Sequence, residues 1–156
     1  MKTRSIATAV AALVLATTLG ACGKGTLSTN MTNEGAVEIV AKEADIATTT
    51  TAGSITVDEG QCIVISPVVE EGFIRVTIET GDGKVTVYDK DVTGTEYFTV
   101  DADPGIYDVV TAAENATGHV VILTAEQAKL GTPEQVAQVF SDAGVQPEFV
   151  EALTSK

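Results

Sequence analysis

The sequence predicts a mainly β protein, an antiparallel sandwich that ends in a short helical segment. Three observations carry this. From Ile55 to Thr124, short runs of Val, Ile, Thr, Tyr and Phe alternate with Gly, Asp, Asn and Pro, residues that interrupt or turn strands. The runs recur roughly every ten residues, the rhythm of a sandwich. After Leu123 the apolar period changes from that of a strand to that of a helix.

Taken in order, Lys2 and Arg4 precede an apolar run from Ile6 to Ala16, and the stretch closes on Leu19, Gly20, Ala21 and Cys22. The run is too short to span a bilayer and has the shape of a cleavable export signal. The quartet resembles a bacterial lipobox, and the chain as a whole resembles the small surface lipoproteins of bacteria. That resemblance implies cleavage before Cys22 and a diacylglycerol on its sulfur. Two acyl chains then hold the protein at the extracytoplasmic face of the membrane, where one chain gives only marginal binding. Residues 1–21 are therefore expected to be a signal peptide. Residues 22–33, small and polar beyond Cys22, are expected to be a flexible tether.

The β-domain is expected over 34–124. Glu34 to Ala47 fits either period, with strand favoured over Ala36 to Val40, and the Thr48–Thr51 run is read as a connection. Ile55 and Val57 lead into Asp58-Glu59-Gly60, and Cys62 to Ile65 runs up to Ser66-Pro67. Phe73 to Glu79 places Ile74, Val76 and Ile78 on one face and Arg75, Thr77 and Glu79 on the other. Gly81-Asp82-Gly83-Lys84 predicts a hairpin into Val85–Tyr88, since Asp and Gly supply the positive φ angles of tight turns. An acidic loop, Asp89 to Glu96, separates this strand from Tyr97–Val100. Ile106–Ala112 and His119–Leu123 complete at least six strands.

Asp103-Pro104-Gly105-Ile106-Tyr107-Asp108-Val109 has the D-x-G-x-Y spacing of a tyrosine corner. In this it resembles immunoglobulin-like domains, and the resemblance implies an immunoglobulin-like β-sandwich with the Tyr107 hydroxyl bonded to upstream backbone. It covers about seven residues. The chain has no Trp, and Val109 stands where that motif carries cysteine.

Residues 125–156 are read as helical. Thr124 is a candidate cap for Ala125–Leu130, with Gly131 as the stop. Thr132, Pro133 and Gln135 form a capping box and helix start, and Gly144 marks the end. Val136, Val139 and Phe140 make the apolar stripe of this helix. A last helix opens at Gln146-Pro147-Glu148 with Phe149, Val150 and Leu153, and core packing is its expected use.

Charge and residue inventory narrow the function. Removing residues 1–21 takes two of the nine basic residues and none of the 22 acidic ones, leaving net −15. Such a surface repels phosphate backbones, so no nucleic-acid partner is expected. With Cys22 lipidated, Cys62 has no disulfide partner, and its apolar run predicts a buried, inert thiol. Asp82, Asp89, Asp91, Asp101 and Asp103 are the candidate calcium ligands, because hard cations take several oxygens and sandwich loops cluster at one end. They do not make a contiguous calcium loop. His119 is the single histidine, expected partly exposed on a strand. With no Gly-x-Ser-x-Gly and no zinc-type His pair, the chain is read as non-enzymatic. The expected role is an envelope binding module that contacts a protein, wall polymer or extracellular ligand. A calcium-binding domain and a small hydrolase or hydrolase accessory subunit are the alternatives.

Overall fold

The computed structural model describes Thr17–Thr18 and residues 23–155; Cys22 and, apart from Thr17–Thr18, the expected signal peptide lie outside the described residues. Among the described residues seven strands form one antiparallel sheet: β1 (Thr17–Thr18), β2 (Lys24–Met31), β3 (Val37–Val57), β4 (Gln61–Thr80), β5 (Thr86–Thr95), β6 (Phe98–Val100) and β7 (Gly105–Glu126). The order is β1-β2-β3-β7-β4-β5, and β6 continues the pairing of β5 along β4. A 3-10 turn (Gln127–Lys129) leads to helices α1 (Pro133–Asp142) and α2 (Pro147–Thr154).

The sheet is folded over on itself. Val57 pairs with Gly105 and Gln61 pairs with Glu126, the two ends of β7. A straight strand of that length would span about 70 Å. Yet Val57 and Gln61 are joined by the turn Asp58-Glu59-Gly60, which reaches at most about 15 Å. β7 must therefore double back, and β3 and β4, paired along its length, double back with it.

The bend lies along one line across the sheet. Glu43 in β3, Asn115 in β7, Gly72 in β4, Gly25 in β2 and Gly94 in β5 all have positive φ, between 45° and 75°. The ladders shift register at the same places, between Ala41 and Ala44, between Glu71 and Phe73, and between Val69 and Ile74. Left-handed residues and bulges bend a strand without ending its pairing. At Gly72 no other residue fits, because a Cβ there would fall on the carbonyl oxygens of Glu114 and Asn115.

Folding creates two apolar layers. Ile63, Ile65 and Ile122 from one half of the sheet meet Ile74, Ile78 and Val109 from the other, all fully buried. On the outer face of the first half, Cys62, Val64, Val121 and Leu123 are covered by Val136 and Phe140 of α1 and Phe149 and Leu153 of α2. The helical segment thus packs on the sheet. α1 starts as its sequence predicts, with Thr132 Oγ1 accepting from the Gln135 amide and Gly144 left-handed at the far end.

Four sequence expectations are corrected. The segment read as a tether supplies β2, because Leu27 and Thr29 alternate into the interior and pair with Ala41 and Ile39. Thr48–Thr51 lies within β3, and Asp89–Thr95 lies within β5 rather than in a loop. Thr124 and Ala125 continue β7 opposite Ile63 and Cys62 instead of opening a helix. The hairpin at Gly81–Lys84 forms where expected, with Gly83 at φ 67° and Thr80 bonded to Val85.

Candidate binding groove

The edge of the folded sheet beside β4 is formed by β5 and β6, which come from the two layers. Between them runs a groove. One part, about 640 Å³, is lined by Thr86–Lys90 on one side and Phe98–Val100 on the other. It continues past Val87 into a second depression of about 630 Å³ bounded by Val85, Ala102, Pro104, Ile106 and Tyr107. The floor is apolar, since Val87, Phe98, Val100 and Ala102 pack onto the inner core. Tyr88 stacks at a tilt on Phe98, with ring centroids 5.6 Å apart.

Local sequence rules place these side chains. Tyr88 pairs with Ile78 and Thr86 with Glu79, a register shift that leaves Val87 as the extra residue of a bulge. A bulge re-aims its side chain, and Val87 turns to the middle of the groove. Tyr107 points inward, 5% exposed, and its hydroxyl donates to the Asp103 carbonyl at 2.8 Å. This is the corner hydrogen bond expected from the motif. Strand alternation then turns Ile106 outward, where it is 63% exposed; Val85, just past the turn, is 53% exposed. The sequence reading did not single out either residue, although the alternation of Ile106 with Tyr107 and Val109 carried the signal.

The five candidate calcium ligands are dispersed. Asp82 sits in the β4–β5 turn, where it accepts from the Thr80 hydroxyl and the Lys84 amide and pairs with the Lys84 ammonium. These donors bring its carboxyl down to about 2. Asp89 accepts from the Thr77 hydroxyl at 3.0 Å and Asp91 from Arg75 Nε at 2.8 Å, both along β5. Asp101 and Asp103 lie beyond β6, at the rim of the groove. Among the described residues no three His, Cys, Asp or Glu side chains converge as metal ligands.

His119 is in the middle of β7, beneath α2, edge-on to the Phe149 ring at 4.5 Å. Its Nε2 is 3.8 Å from Glu38 Oε1. Burial lowers the imidazole pKa, opposed by the Glu38 carboxylate. Asn30 Nδ2 donates to the other Glu38 oxygen. Ser66 lies on the same outer face, opposite Val121, and is fully buried, so no substrate reaches its hydroxyl. Cys62 is 2% exposed and burial pushes its thiol pKa up, the opposite of an activated nucleophile.

No family model matches the chain, and no curated protein does. Among solved structures it is similar to the Drosophila melanogaster CENP-C cupin domain, at 7% identity, covering 71% of this chain and 76% of that one with a TM-score of 0.34. It is similar to the coconut allergen cocosin at 13% identity, covering 88% and 38%, TM-score 0.37. Bacillus subtilis oxalate decarboxylase matches at 15% identity, covering 88% and 37%, TM-score 0.35. Superpositions this loose define no shared topology and no shared site.

Proposed function

We propose that this chain is a non-enzymatic binding module of the bacterial envelope, tethered at the extracytoplasmic face of the membrane by a diacylglycerol on Cys22. The reading rests on the groove between β5 and β6. Val85 and Ile106 are large apolar side chains held out in water at its end, beside a pre-formed apolar floor, and such patches are the usual mark of a binding surface. The anchor rests on Leu19-Gly20-Ala21-Cys22. Among the described residues no helix is long and apolar enough to cross a membrane. The immunoglobulin-like reading of the fold has one support, the Tyr107–Asp103 bond; the continuous sheet, with β7 between β3 and β4, gives it none.

The test is a photo-crosslinking side chain placed in living cells at Ile106, at Val87 and, as control, at the exposed Lys129. Adducts from the first two positions alone support the reading. Equal adducts at all three, or none, overturn it. Incorporation of labelled palmitate, lost in Cys22→Ala, tests the anchor separately.

A further inference from the structure

We infer that the groove takes an extended, cationic segment of a partner protein, laid along the free edge of β5 and β6. This rests on the groove being the binding surface. Two independent properties of the site select that occupant.

The first is backbone. Among the described residues β5 and β6 pair with β4 alone, so along the groove the far sides of Thr86–Lys90 and Phe98–Val100 offer amide and carbonyl groups with no ladder partner. An extended segment satisfies such groups by adding a strand, and its alternate side chains fall into the apolar floor. A helix entering the same trough would leave these groups unpaired.

The second is charge. The lining holds two carboxylates at one end, Asp101 and Asp103, against one ammonium, Lys90, while the Asp89 carboxylate is engaged by Thr77. Lys90 Nζ stands 5.9 Å above the Tyr88 ring, away from the Asp101–Asp103 end. No hydrogen bond or ion pair among the described residues engages the carboxylates of Asp101 or Asp103. Edge-to-edge pairing with a second copy would set these acidic rims against each other in a protein of net charge −13, a standard guard against self-association. A segment carrying Lys or Arg at the outward positions turns the same charges into attraction.

The full chain in detergent is titrated with three blocked octapeptides, alternating lysine with valine, glutamate with valine, and lysine with serine. The lysine–valine peptide is expected to bind about tenfold or more tighter than either of the others, since it alone matches both charge and floor. Its affinity falls as salt rises from about 50 mM to about 0.5 M. It also falls on methylation of alternate peptide nitrogens, which removes the ladder donors. Ile106→Ser with Val85→Ser is expected to abolish the preference over lysine–serine, and Asp101→Asn with Asp103→Asn the preference over glutamate–valine. All four positions are exposed, so the fold persists, and circular dichroism verifies it. Equal binding of lysine–valine and lysine–serine, or indifference to nitrogen methylation, overturns the inference. If crosslinks form at Ile106 while the lysine–valine peptide fails to bind, the groove is a binding surface and the occupant is of another class. If both fail, the proposed function fails too.

Discussion

His119 Nε2 stands 3.8 Å from Glu38 Oε1, inside the range of a charge interaction and outside that of a hydrogen bond. Neither atom has another partner among the described residues. The pair is largely covered between the sheet and α2, His119 keeping 23% of its side chain exposed, with Phe149 on the ring and Asn30 on the far carboxylate oxygen. Burial of this imidazole lowers its pKa, and the Glu38 carboxylate opposes the shift.

The folded pKa of His119 is therefore below its ordinary 6.5, and the sign of the pH effect follows. As pH falls through 6.5 the unfolded chain binds a proton that the folded chain does not. Stability is lost from there down to the folded pKa and then levels. His119→Leu is expected to remove this share of the loss between about pH 7.5 and pH 5.5. Urea midpoints of both proteins across that window check it; parallel curves would refute it.

The crease makes a matched pair of substitutions informative. Gly72→Ala puts a methyl group onto two carbonyl oxygens, whereas at Gly94, also left-handed at φ 73°, nothing lies within 4 Å. Gly94→Ala is expected to cost about 1–2 kcal/mol from backbone strain alone. Gly72→Ala should exceed that by at least about 2 kcal/mol, or prevent folding. Similar losses in equilibrium unfolding would show that Gly72 is not a point of close approach.

α1 and α2 are a structural layer, and truncation of their core residue reports it. Phe140 is fully buried and packs on Phe149 at 6.0 Å between centroids. Phe140→Ala is expected to cost about 3–5 kcal/mol, against about 1 kcal/mol for loss of the α1 cap in Thr132→Ala. A Phe140→Ala loss below that of Thr132→Ala would mean the helices contribute little to the fold.

Cys62 is expected to resist thiol reagents. In a Cys22→Ser background the native protein should react with a disulfide reagent far more slowly than the urea-unfolded chain, because burial suppresses the thiolate. Equal rates would place Cys62 at the surface.

Calcium should raise the thermal midpoint no more than magnesium does. A specific site filled at 100 times its dissociation constant would add about 2.7 kcal/mol. Asp82 is bonded within its turn and Asp89 and Asp91 to Thr77 and Arg75 of the adjacent strand β4, and among the described residues no three such side chains converge. A calcium-specific rise would instead point to Asp101 and Asp103.

Where a local pattern had one meaning, the sequence was readable. The Asp82–Gly83 hairpin and the Thr132–Pro133–Gln135 helix start follow from backbone chemistry within a few residues, and the Tyr107 hydrogen bond is the one the D-x-G-x-Y resemblance implied. The long strands were hidden because Gly72 and Asn115 look like strand ends, and at a crease the same positive φ bends a strand while pairing goes on. β2 was hidden for a different reason, having only Leu27 and Thr29 fully turned inward, too little to stand out by alternation. Glu38 escaped as a polar position on a face that only tertiary packing covers. The groove needed both layers in place before Val85 and Ile106 could be seen as neighbours.

β7 also sets the order in which this chain can fold. β2 with β3, and β4 with β5 and β6, are neighbours in sequence and join through short turns. Among the described residues neither set pairs with the other; β7 lies between them and holds both, with Val37 opposite Ile122 and Cys62 opposite Ala125. Closure across such separations is slow. A chain emerging from its N-terminus can hold two loose hairpins but no core until Glu126 has appeared.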